Sequence, residues 1–154
     1  MGLDMYLTKK TYVKNWSHQT KEETFTISVK KGGKKFDGIQ TKRISYIEEE
    51  VMYWRKFNAL HAWFVRECQD GVDDCRDAYV DDDKLKDLLH ILKQIDANHS
   101  LADELLPTQQ GFFFGSYTYD EWYYKDVKDT IKVLEKEFDD NGNLSGSYYY
   151  HSSW

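Results

Sequence analysis

Tyr53-Trp-Arg-Lys-Phe-Asn-Ala-Leu-His-Ala-Trp-Phe-Val-Arg66 is the stretch on which the reading of the fold turns. Wound at about 100° per residue, it lines up Tyr53, Phe57, Leu60 and Phe64 as one apolar stripe and predicts an amphipathic helix. Trp54, Asn58 and His61 then share one flank, and Arg55, Ala59, Ala62 and Arg66 the next. Hydrogen-bonding groups set against aromatic surface are what a pocket for a planar, polar or anionic ligand requires. Extended outward, the helix is expected over 47–69 and closes at Asp70-Gly71, where glycine can take the left-handed conformation that ends helices.

Before this helix, residues 2–8 alternate Leu3, Met5 and Leu7 with polar neighbours, the period of a half-buried strand. Residues 9–22 read as a polar surface loop carrying Trp16 and His18. Phe25, Ile27 and Val29 alternate again over 23–30, and Lys30-Lys-Gly-Gly-Lys-Lys35 supplies a turn into a second extended segment over 36–46. After the helix, Asp81-Asp-Asp83 opens a second one with Leu85, Leu88, Leu89, Leu92 and Ile95 on its core face. His90 lies off that stripe, as a solvated side chain would.

A loop over 97–109 holds the only proline, Pro107, and leads into Phe112-Phe-Phe114, an apolar run suited to a buried strand. Thr118 and Glu121 match a capping box for a third helix, whose core face is Tyr124, Val127, Ile131, Leu134 and Phe138. Asn141-Gly142 turns the chain into a closing strand over 147–154. The predicted fold is a single α+β domain, its antiparallel sheet built from both termini and the phenylalanine strand and packed against about three helices.

One domain fits a chain of 154 residues. The 12 Tyr, 8 Phe and 5 Trp exceed what a minimal core needs, which points to stacking surfaces or an interface and makes a homodimer plausible. A net charge of −6 argues against a chain whose main business is coating nucleic-acid phosphates, although the basic run from Lys30 to Lys35 stands out. Two cysteines, Cys68 and Cys75, with no cleavable leader and no membrane-length apolar run, indicate free thiols in a reducing cytosol.

The dispersed His18, His61, His90, His99 and His151 offer no paired metal-ligand spacing, and the aspartates of 73–83 do not follow a calcium-loop pattern, so no metal or other cofactor is expected. Arg76 beside Cys75 would lower a thiol pKa, but Asp73, Asp74 and Asp77 oppose it. No phosphate-cradling glycine motif is present. What remains is a binding constellation and no catalytic residue: Trp54, Arg55, Asn58 and His61, then Arg76 and Tyr79 in the following loop, with Gln109 and Ser116 flanking the phenylalanine run. Arginines would fork to phosphate or carboxylate, Asn58 and His61 would read polar edges, and Trp54 or Tyr79 would stack.

The opening Met-Gly-Leu-Asp-Met-Tyr-Leu, the 53–64 segment, Asp73-Asp-Cys-Arg76, Leu106-Pro-Thr-Gln-Gln-Gly-Phe-Phe-Phe-Gly-Ser116 and the closing Tyr149-Tyr-His-Ser-Ser-Trp154 together resemble an uncharacterised family of small phage and prophage proteins. The resemblance spans nearly the whole chain and implies a phage accessory protein. Such a protein would counter host defence by sequestering a nucleotide-like signal or by binding a host protein. A small nucleotide phosphoesterase with His61 as base is the enzymatic alternative.

Overall fold

Residues 46–55 form a strand rather than the first half of a helix. The computed structural model describes residues 2–111, 115–116 and 118–154, so the strand expected over 112–114 lies outside the described residues. Strand β1 spans Asp4–Tyr12, and the segment from Tyr46 to Arg55 pairs antiparallel with it along its whole length. The predicted 47–69 helix is thus corrected to a strand followed by helix α1, Asn58–Cys68. The break falls at Lys56, whose φ of 59° is left-handed. A helix cannot run through that conformation, which an L side chain adopts only at a cost.

The other strands are β2 (Lys30–Lys31), β3 (Lys34–Lys35), β4 (Tyr46–Arg55), β5 (Ala78–Val80) and β6 (Ser147–Ser153). The main sheet is antiparallel in the order β4-β1-β6-β5, so the two ends of the chain supply its central pair. β1 carries the alternation read from the sequence but runs on to Tyr12, correcting the loop expected from residue 9. A bulge beside Leu7 and Thr8 leaves Val51 without an opposite residue, since Leu7 faces Met52 and Thr8 faces Glu50. It turns Glu50 outward with Tyr53 while Trp54 faces the core.

Helices α2 (Asp82–Ala97), α3 (Ala102–Leu105, a single turn within the predicted loop) and α4 (Glu121–Glu137) complete the fold. The N-cap of α2 is Asp81, whose carboxylate accepts from the Lys84 N–H at 2.9 Å. That of α4 is Asp120, accepting from the Tyr123 N–H at 3.0 Å, so the cap expected at Thr118 falls two residues on and is a simple aspartate cap in place of a capping box. One core joins Leu3, Met5, Leu7, Trp54, Tyr148 and Tyr150 of the sheet to Leu60 and Phe64 of α1, Leu85, Leu88, Leu92 and Ile95 of α2, and Val127 and Leu134 of α4. Within it Phe64 stacks on Tyr150, 4.0 Å between centroids and 8° between planes.

Residues 13–45, between β1 and β4, leave the sheet altogether. The lysine turn is a hairpin as expected, closed tightly by Gly32 and Gly33 at φ 60° and 79°, but its strands are only two residues each, and one further hydrogen bond, from the Phe36 N–H to the Val29 carbonyl at 3.1 Å, extends the pairing. The long strands expected over 23–30 and 36–46 are replaced by short 3-10 turns at Lys21–Glu23 and Thr41–Arg43. Among the described residues no helix is long and apolar enough to cross a membrane.

Candidate functional site

The eight residues singled out in the sequence do not converge. β4 and β5 are the opposite edges of the sheet, separated by three strand spacings, roughly 14 Å. Arg55, at the end of β4, therefore stands on the opposite side from Arg76, two residues before β5, and Tyr79 within it, and they cannot clamp one small ligand between them.

Trp54 and His61 lie in the core. Trp54 is buried, its indole N–H donates to Thr130 Oγ1 at 2.7 Å, and its ring packs against Phe64, so it offers no stacking face. His61 is 2 % exposed and is held at both ring nitrogens, with Nδ1 2.7 Å from the Tyr150 hydroxyl and Nε2 2.8 Å from Asp73 Oδ2. A carboxylate only accepts, so Nε2–H donates to Asp73, and Nδ1 is paired with the Tyr150 hydroxyl. Trp154 donates to the other Asp73 oxygen at 3.1 Å. This closed chain ties the 70–77 loop to the core and leaves His61 unable to meet a substrate as a base.

Arg76 belongs to the same tie. Its guanidinium donates to the Gln69 carbonyl at 2.6 Å and lies 3.5 Å from Asp74 and 3.8 Å from Asp70, while the Gln69 side chain donates back to the Arg76 carbonyl. Its charge is already answered by carboxylates. Tyr79 is exposed and makes an edge contact with Tyr149 on the outer sheet face. Both cysteines are free, and burial pushes the Cys68 thiol up to about 12, the opposite of an activated nucleophile.

The other four predicted residues do come together: Arg55, Asn58 and Ser116 line one cleft, whose wall buried Trp54 also reaches, and Gln109 is tied to Asn58 beside it. This cleft, of about 510 Å³, opens between the end of β4, the start of α1, residues Thr108, Gly115, Ser116 and Thr118, and the first turns of α4. Asn58 is its tie-beam: its side chain donates to the Ser116 carbonyl at 2.7 Å and accepts from the Gln109 N–H at 2.9 Å, fastening the loop to the helix. Gln109 therefore serves through its backbone. Ser116 Oγ lies 2.7 Å from Thr118 Oγ1, which donates to Asp120, so a run of hydroxyls leads to the α4 cap. Gly115, at φ 83°, packs where any Cβ would come within 3.0 Å of the Lys56 Cβ.

The charges of the cleft are unevenly matched. Arg55 is 3.4 Å from Asp4, and Lys125 is 2.5 Å from Asp129. Lys56 forms no ion pair among the described residues, although it is exposed at the mouth in its left-handed conformation. Asp126 is raised to about 6, chiefly by burial and further by Asp129 and Asp120, with Lys125 opposing. Trp122 stands 66 % exposed beside it. Lys56, Asp126 and Trp122 were missed in the sequence; a left-handed lysine is invisible there, and Trp122 reads as one more helical aromatic. Among the described residues no group of three or more His, Cys, Asp or Glu is placed to hold a metal ion.

No protein-family model, curated protein or solved structure matches the chain.

Proposed function

We propose that the protein is a non-enzymatic, cytoplasmic binder of a small anionic, nucleotide-like ligand, taken up in the cleft between β4, α1 and α4. The observation that carries this reading is Lys56, a cation without a carboxylate partner among the described residues, held in a strained backbone conformation at the mouth of a cleft with an exposed tryptophan. Strain of this kind costs about 1–3 kcal/mol and persists where the surroundings over-determine it, typically at functional positions. Lys56, with Arg55 beside it, would receive the anionic group; Trp122 offers a stacking face, and Ser116 and Thr118 offer hydroxyls. The resemblance to small phage proteins makes a nucleotide signal of host defence the ligand class to test first.

Thermal unfolding against a panel of nucleoside mono-, di-, tri- and cyclic phosphates tests the proposal. A binder present at about 100 times its Kd should stabilise the fold by about 2.7 kcal/mol, and Lys56→Ala should abolish the shift. A panel without any shift would sink it.

A second reading, a protein partner or a second copy of the chain, is favoured by the outer sheet face. Tyr6 contacts Tyr53 and His151 across β4-β1-β6, and Tyr149 contacts Tyr79 of β5, a band of rings of the kind enriched at protein interfaces. Concentration-dependent dimerisation lost in a Tyr53→Ser, Tyr79→Ser variant would favour it.

A further inference from the structure

The net charge of the chain conceals a segregation. Residues 13–45 carry eight basic side chains against three acidic ones, a net of +5, which leaves −11 on the rest of a chain whose total is −6. This segment is also the part with no core of its own, since between Val13 and Trp54 no residue is buried. It is a basic arm on an acidic body.

At the tip of the arm, Lys30 stands opposite Lys35 and Lys31 opposite Lys34, all four exposed. Like charges directly across a strand pair repel, and among the described residues only Lys35 of the four forms an ion pair, with Asp37 at 3.7 Å. A polyanion would relieve that repulsion. Behind the tip, two clefts of about 600 and 440 Å³ share Ile27, Thr41 and Lys42 and so form one groove along the arm. Its floor includes Phe36 at one end and Phe25 at the other, while Lys14, Lys30, Lys35 and Lys42 stand along it.

We infer that this groove binds single-stranded nucleic acid, a site distinct from the β4–α1–α4 cleft and carried by different observations. Lysines following a groove answer the phosphates, and aromatic and apolar floor gives unpaired bases a surface to stack on, which a duplex could not use. Trp16, half exposed with Lys14 at 4.9 Å from its ring, lies beside the groove's inner end and extends that stacking surface. The acidic body confines the strand to the arm.

Fluorescence anisotropy of a labelled oligothymidylate of roughly twenty nucleotides with the full chain tests this. With about four phosphates neutralised, binding should weaken about 50-fold between about 50 and 200 mM salt. Replacing the tip lysines together (K30Q, K31Q, K34Q and K35Q) should flatten that dependence at an unchanged melting temperature, because none of the four is buried. Phe25→Leu should weaken binding about tenfold at every salt concentration. Three results would each overturn the inference: a lysine-tip variant that binds like the parent, a duplex of the same length bound at least as tightly as the single strand, or lysine-dependent self-association seen by light scattering in place of oligonucleotide binding.

Discussion

Helix α1 begins at one polar region and buries its second polar residue in another, and the two have opposite character. Around His61 every ring nitrogen is engaged: Tyr150, Asp73 and Trp154 continue the chain, and Arg76 returns its charge to the loop that Gln69 anchors. Three residues earlier, Asn58 is equally engaged, but the cleft it frames is not saturated. Among the described residues Lys56 has no carboxylate partner, Asp126 is held in part against its own ionisation, and Trp122 faces solvent. Polar groups near aromatic rings are therefore not in themselves a site. The distinguishing mark is whether the fold has already satisfied them.

That contrast can be broken or sharpened by substitution. The largest effect should come from His61→Ala, which takes the imidazole partner from the Tyr150 hydroxyl and from Asp73 Oδ2 and opens a cavity; urea unfolding should show a loss of about 3 kcal/mol, with ligand affinity of the folded protein unchanged. Lys56→Gly should move two properties in opposite directions. Affinity for the anionic ligand should fall at least about tenfold, while relief of the left-handed strain raises stability by about 1 kcal/mol.

Asp126 gives a pH signature. Its folded-state pKa of about 6 lies above the unfolded value of 3.8, so the folded protein binds this proton more tightly and loses stability as pH rises between the two values. Asp126→Asn should therefore be more stable than the parent by about 1–2 kcal/mol above pH 6, allowing for its partial exposure, with the gap closing near pH 4. Anion affinity of the parent should rise as pH falls through about 6, when the carboxylate is neutralised, and the asparagine variant should lack that rise. The smallest effect belongs to Arg76→Ala, about 1 kcal/mol of stability from the lost contact to the Gln69 carbonyl, with no change in affinity. A loss of ligand binding there would mean that the two sheet edges act together, against the present reading.

Much of the fold was legible. The alternation of residues 3–7, the leucine stripe of α2, the α4 pattern and the closing strand all took the form their periodicity predicts. The boundary within 46–58 was not, because Tyr53, Phe57, Leu60 and Phe64 satisfy a helical period across a junction where the chain changes from strand to helix. What decides it is tertiary: β1 offers a partner as far as Tyr46, and Lys56 is forced left-handed. β5, at three residues, is too short to show any alternation. The same boundary misled the site: on a continuous helix Trp54 and Asn58 would be neighbours, whereas the strand turns Trp54 into the core. The loop contacts of Asn58, Gln109 and Ser116 grouped as their sequence setting implied, but through backbone atoms that residue types do not announce.

The most direct test of the central claim is native mass spectrometry of the protein purified from bacteria, with Lys56→Ala and Arg76→Ala measured in parallel. The account predicts a stoichiometric, anionic, nucleotide-like adduct on the parent, retained by Arg76→Ala and missing from Lys56→Ala. An adduct that survives loss of Lys56, or a parent that stays empty after incubation with a bacterial nucleotide extract, would contradict it.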